Sequence, residues 1–250
     1  MRELIVQRLK EIERENNEKI LLAAESGSRA WGIASSDSDY DVRFIYARKM
    51  KDYLRLEDMR DVIELPISDE LDINGWDLKK SLRLLYGSNP TLFEWLSSPI
   101  VYMKTPFYDR LKDNMLKYFS QKKCLYHYLN MAERNCREHL NSDTVKAKKY
   151  FYVLRPVLAC RWILDRHTPP PMLFCDLSKA ELPFELSEEV SCLLRLKTES
   201  NEVKEIPKIV PIDNFLCEQI EEIKGILSAM PDEKGNDISF LDELFLLEIS

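Results

Sequence analysis

The spacing of apolar positions along this chain changes near residue 103, and the change predicts how it is built. At the N-terminus Leu4, Ile5, Leu9 and Ile12 recur among charged residues at helical intervals, which predicts an amphipathic helix. Lys19 to Glu25 (KILLAAE) is then a short apolar run of a length that suits a buried strand. Asp39 to Tyr46 (DYDVRFIY) alternates polar with apolar positions, as a half-buried strand does. Asp61 to Ile67 and Leu71 to Trp76 predict two further strands, joined by a turn at Ser68-Asp69-Glu70. Asp77 is placed to cap a helix through Leu78, Leu82 and Leu85. Asn89-Pro90 opens another, with Leu92, Phe93, Trp95 and Leu96 as its apolar positions.

Beyond Pro106 helical spacing takes over: Leu111, Met115, Tyr118 and Phe119, then Tyr150, Val153, Leu154, Val157 and Leu158. Pro169-Pro170-Pro171 must interrupt a helix, and Pro156 implies a kink. Further helical patterns run over 187–200, 212–229 and 237–248, with a break at Asp232 to Asn236. The expectation is an α+β protein with a mixed α/β unit over 1–103 and an all-helical unit over 104–250.

Composition narrows the function classes. No stretch approaches the roughly 20 apolar residues of a membrane helix, and the charged N-terminus does not read as a signal peptide. Six cysteines without an export signal are expected to be reduced thiols in the cytoplasm. A net charge of −7 argues against a protein that coats nucleic acid. The total hides an asymmetry, however. Residues 104–166 carry 14 Lys and Arg against 6 Asp and Glu, a surplus of 8, whereas 167–250 carry 7 against 18, a deficit of 11. The middle stretch suits a polyanion such as a triphosphate or RNA as well as it suits solvated helix faces.

Glycine is scarce, with 6 in the chain, and Gly27 directly follows the first expected strand in Glu25-Ser26-Gly27-Ser28-Arg29. A glycine there lets backbone N–H groups approach a phosphate closely. Taken alone, Gly27-Ser28 is a tight turn. Ten residues separate Ser28 from Asp39-Tyr40-Asp41-Val42 at the head of the second expected strand. Strand residues two apart share a face, so Asp39 and Asp41 point to one spot while Tyr40 and Val42 point away. Adjacent carboxylates repel each other, and a divalent cation stabilises such a pair. Ser36-Asp37-Ser38-Asp39 is equally good turn material, and Asp37 belongs to that reading. A third carboxylate is expected from a neighbouring strand: Asp72, with Leu71 and Ile73 facing the core, and with Glu64 and Glu70 as rivals.

These residues resemble the DNA polymerase beta superfamily of nucleotidyltransferases, whose pattern is a strand, Gly-Ser, about ten residues and Asp-x-Asp. Gly27-Ser28-Arg29-Ala30-Trp31-Gly32 with Ser38-Asp39-Tyr40-Asp41-Val42-Arg43 looks more closely like the RlaP-like predicted nucleotidyltransferases. Asn74-Gly75-Trp76-Asp77-Leu78-Lys79-Lys80, Asn89 to Leu96, Lys149-Tyr150 and Leu154-Arg155-Pro156 extend the likeness across both expected units. The chain departs from the small antitoxin-type members, in which an arginine and a glycine close the loop; Ala30-Trp31-Gly32 does so here.

The resemblance implies a polymerase beta-like catalytic domain over 1–103, and a helical domain over 104–250 that completes the substrate cleft. It implies transfer of a nucleoside monophosphate from an NTP to a hydroxyl on RNA, protein or a small molecule. Two ions, Mg²⁺ or Mn²⁺, would be held by Asp39, Asp41 and Asp72, the last serving the acceptor hydroxyl. Gly27 and Ser28 would hold the β- and γ-phosphates, with Arg29 and Arg43 as phosphate contacts. A non-catalytic module that binds nucleotide or a partner is the alternative on the same fold.

The sequence carries two other signals. Cys124-x-x-His127 and Cys136-x-x-His139 have zinc-like spacing, but on one helix the pairs lie about 18 Å apart along the axis and about 120° apart around it. The run Lys146 to Arg166 interleaves basic and aromatic residues, as stacked and phosphate-bound RNA or nucleotide would require. Phe151, Leu154 and Leu158 are assigned to the core, and Lys148 and Lys149 to nucleotide or acceptor binding.

Overall fold

The computed structural model describes residues 1–67, 70–199, 205–233 and 235–250, with the side chain of residue 199 left aside. Ser68 and Asp69 of the expected turn, Ser200 of the pattern 187–200 and Lys234 of the expected break lie outside the described residues. The chain divides into two compact units. The first comprises Met1–Ala30, Asp39–Tyr118 and Gly235–Ser250, and the second Trp31–Ser38 and Phe119–Lys234.

In the first unit, helix α1 (Arg2–Asn16) leads into β1 (Lys19–Ser26), the short helix α2 (Gly27–Ala30) and β2 (Tyr40–Ala47). Helix α3 (Met50–Tyr53), β3 (Val62–Glu64) and β4 (Leu71–Asp77) follow, then α4 (Leu78–Tyr86), α5 (Pro90–Ser97), β5 (Val101–Lys104) and α6 (Pro106–Asn114). The strands form a mixed sheet in the order β3-β4-β2-β1-β5. β1 runs antiparallel to β2 and β5, β2 parallel to β4, and β4 antiparallel to β3.

Each face of the sheet follows from the alternation. Val42, Phe44 and Tyr46 of β2 and Ile73 of β4 pack with Ile5, Leu9 and Ile12 of α1 into one core. Leu4, which the helical stripe had included, is instead exposed. Asp41, Arg43, Asp72, Asn74 and Trp76 take the opposite face, where Trp76 meets Trp95 of α5 with ring centroids 4.3 Å apart. Asp77 caps α4 by accepting from the Lys79 backbone N–H at 2.8 Å. Asn89 caps α5 in the same way through Thr91 N–H, with Pro90 in the first turn.

The second unit holds α7 (Gln121–His139), β6 (Thr144–Lys146), α8 (Ala147–Arg166), α9 (Phe174–Glu181), α10 (Ser187–Glu199), β7 (Glu205–Pro207) and α11 (Val210–Ala229). It is helical, as the spacing predicts, with the β6–β7 ribbon added to the helices. Tyr150, Phe151, Val153, Leu154, Val157 and Leu158 of α8 are all buried, and the helix runs through Pro156. The loop 31–38 is fastened within this unit. The guanidinium of buried Arg155 stands 4.7 Å from the centroid of the Trp31 ring, Phe174 N–H bonds Trp31 C=O at 2.9 Å, and buried Lys197 donates to Ile33 C=O at 2.7 Å. The last helix, α12 (Ser239–Ile249), returns to the first unit, where Phe245 meets the Tyr53 ring. Among the described residues no helix is long and apolar enough to cross a membrane.

Candidate active site

The site starts where β1 ends. Gly27 has φ +61°, and a Cβ there would lie 2.0 Å from Asp41 Oδ2. Only glycine therefore lets the Asp41 carboxylate lie against this turn. Ser28 follows, half-buried, its hydroxyl without a partner among the described residues. Arg29 Nε donates to Asp39 C=O at 3.1 Å, and its guanidinium lies 3.7 Å from the centroid of the Tyr40 ring, which ties the turn to the head of β2.

Asp41 and Asp72 are register partners on the parallel strands β2 and β4. Their side chains share one face and meet. Arg43, two residues after Asp41, joins them: its Nη2 lies 3.1 Å from Asp41 Oδ1 and 2.7 Å from Asp72 Oδ2. Its Nη1 donates to the carbonyls of Asp72 at 3.0 Å and Val42 at 3.2 Å. Asp39 stands one residue ahead of β2, exposed. Burial raises the Asp41 pKa above its ordinary value; Arg43 opposes the shift, and the charges of Asp72 and Asp39 add to it.

The structure thus brings together Gly27, Asp41, Asp72 and Arg43. It does not gather Asp39, Asp41 and Asp72 into a ready ligand set: among the described residues no three His, Cys, Asp or Glu side chains are arranged to hold a metal ion. Two of the three do fit one. The guanidinium marks a point at which a cation already meets two hard carboxylate oxygens, the donor chemistry Mg²⁺ and Mn²⁺ take.

The rivals to Asp72 are placed differently. Glu64 is the register partner of Asn74, exposed, and bonded to Arg60 and, at 3.5 Å, to Asn74. Glu70 is exposed, and its carbonyl accepts from Tyr40 N–H at 2.7 Å. Lys148 and Lys149 lie in the first turn of α8, half-buried in the second unit. Lys149 Nζ stands 3.3 Å from His139 Nε2 and 4.8 Å from the centroid of the Tyr152 ring.

Sequence reasoning missed one residue of this site. Glu25, the last acid of the KILLAAE run, is fully buried. One carboxylate oxygen accepts the Asp41 backbone N–H at 2.7 Å, and the other accepts the Tyr102 hydroxyl. Burial pushes its pKa above 4.5, against the two hydrogen bonds, while the Asp41 charge pushes the same way. Glu25 thereby fixes the backbone that carries Asp41. The one signal in the sequence was an acid closing an otherwise apolar strand beside Gly27.

Comparison with known proteins identifies the family. Residues 1–247 match the family described as RlaP, RNA repair pathway DNA polymerase beta family. A curated relative from Bacillus subtilis (strain 168), "Uncharacterized protein YcgL", is 46% identical over 248 residues, covering 98% of this chain and 95% of the relative. The crystal structure of a nucleotidyltransferase-like protein from Exiguobacterium sibiricum aligns over 90% of this chain and 75% of its own, at 14% identity and a TM-score of 0.33. The chain belongs to the RNA repair pathway DNA polymerase beta family.

Proposed function

We propose that this member of the RNA repair pathway DNA polymerase beta family moves a nucleoside monophosphate from an NTP to a hydroxyl of RNA, releasing pyrophosphate. The observation that carries the reading is the meeting of Asp41 and Asp72, from adjacent parallel strands, around a single cation beside the Gly27 turn. RNA is chosen from the family's description and from the basic surplus over 104–166.

In this reading Asp39, Asp41 and Asp72 hold two divalent ions, Mg²⁺ or Mn²⁺. When bound, such ions activate the acceptor hydroxyl and stabilise the attacking and leaving oxygens. The acceptor oxygen bonds the α-phosphorus as the bond to pyrophosphate breaks, and the hydroxyl proton passes to the Asp72 carboxylate or on to water. Gly27, Ser28 and Arg29 hold the β- and γ-phosphates, and Glu25 keeps Asp41 in place. Lys148 and Lys149 add attraction for the polyanion. A non-catalytic binding module is the reading that the Arg43 bridge would favour if that bridge were permanent.

The experiment is incubation with each labelled NTP, Mg²⁺ or Mn²⁺, and separate pools of RNA and protein. Wild type is expected to label RNA, and Asp39→Asn with Asp41→Asn to lower incorporation at least a hundredfold, equivalent to about 3 kcal/mol of barrier. Incorporation that survives the double substitution overturns the mechanism. Label in the protein pool alone overturns the acceptor.

A further inference from the structure

We infer that Arg43 is an exchangeable internal cation: a divalent ion displaces its guanidinium from Asp41 and Asp72, and the freed arginine then binds the triphosphate. The inference rests on the reading of the site given above.

The geometry makes the two cations exclusive. Nη2 sits 3.1 Å from one carboxylate oxygen and 2.7 Å from the other, while Mg²⁺ holds oxygens at about 2.0–2.1 Å. An ion that bridges these oxygens must occupy the position of Nη2 or crowd it out. The other Asp41 oxygen, Oδ2, lies against Gly27. The guanidinium reaches solvent, with its side chain 19% exposed between carboxylates exposed by 28% and 30%, and in leaving it also gives up the Nη1 bonds to the Asp72 and Val42 carbonyls.

Charge gives the exchange its use. Arg43 leaves the pair with one net negative charge, which repels a triphosphate. A divalent ion neutralises the pair and returns the guanidinium's positive charge to the surroundings, so the site becomes more positive by two units. Arg29 is held at the head of β2 by the Asp39 carbonyl and lies over the Tyr40 ring. A planar guanidinium whose Nη2 already meets two carboxylate oxygens can turn its fork to phosphate oxygens once released. Metal loading and readiness for nucleotide then become one event.

The test uses the full chain. Mn²⁺ and Mg²⁺ binding are measured by calorimetry for wild type, Arg43→Gln and Arg43→Lys, with Tm in EDTA confirming that each variant folds. In parallel, ¹⁵N-arginine NMR of wild type follows the Arg43 guanidinium, assigned by its loss in Arg43→Gln, through a Mg²⁺ titration. The expected result is Mn²⁺ binding at least tenfold tighter in Arg43→Gln, with Arg43→Lys between. The guanidinium signal should move to that of a free arginine at saturating Mg²⁺. An Arg43 signal unchanged at saturation overturns the exchange, as does unaltered affinity in Arg43→Gln. Binding by Arg43→Gln but not by wild type also overturns it, and makes the bridge a permanent lock. If neither protein binds either ion, this inference and the metal-dependent reading fail together.

Discussion

Glu25 spends both carboxylate oxygens inside the protein, one on Asp41 N–H and one on Tyr102. Its raised pKa means that the folded chain keeps a proton which the unfolded chain gives up from about pH 4.5 upward. The native state then binds more protons, so stability falls as pH rises from 4.5 through the raised value and is level above it. Glu25→Gln keeps an oxygen for Asp41 N–H and removes the charge. Its melting temperature should therefore decline less between pH 4 and 7 than that of wild type, with a residual slope from Asp41, Glu18, Asp77 and Glu181, whose pKa values burial also raises. An identical slope in both proteins would refute the assignment. The Gly27 turn and the strand that carries Asp41 were legible in the sequence, because glycine is rare here and strand alternation needs only local information. The role of Glu25 was not legible, since it depends on a tyrosine 77 residues away. Nor was the Arg43 bridge, which exists only once Asp72 lies in register beside Asp41.

That register belongs to the strands, and Gly75 protects it. A Cβ at position 75 would lie 2.2 Å from the Phe44 ring, which packs beneath α1. Gly75→Ala should cost about 1–3 kcal/mol by overpacking, read as a lower urea midpoint, and Phe44→Leu in the same chain should recover part of the loss. No change in the single variant would mean that the ring does not depend on that space. The long elements were legible from period alone: α1, β1, β2, β4, and the helices after Pro106. β5 was not, because Val101 to Lys104 is too short to show a period and becomes a strand only by pairing with Leu22 to Ala24. β3 shows the converse. Asp61 to Ile67 has strand character throughout, yet the strand covers only Val62–Glu64, although Asp77 N–H still bonds Asp61 C=O and Leu65 N–H bonds Ile73 C=O. That β2 and β4 run parallel could not be read from either strand by itself.

Across the whole molecule, charge is divided more sharply than the total of −7 suggests, and the basic stretch 104–166 contains Lys148 and Lys149. If these two lysines meet phosphates, replacing both by alanine should weaken RNA binding and lower the slope of log affinity against log salt by about 1.4, from roughly 0.7 per phosphate on single strands. Circular dichroism should show the fold intact, and an unchanged slope would remove the pair from the binding surface. Sequence character changes at 103, but packing draws its units elsewhere, with 235–250 in the first unit and 31–38 in the second. Period describes one segment at a time and does not say which distant segment will cover it. The loop 31–38, between the Gly27 turn and Asp39, carries a consequence for the order of synthesis. Ile33 C=O waits for Lys197, 164 residues later, and Trp31 for Arg155 and Phe174. At roughly 5–20 residues per second, a ribosome completes that wait in about 8–33 s. Until then the Gly27 turn and Asp39 are joined by a spacer that lacks its final anchors.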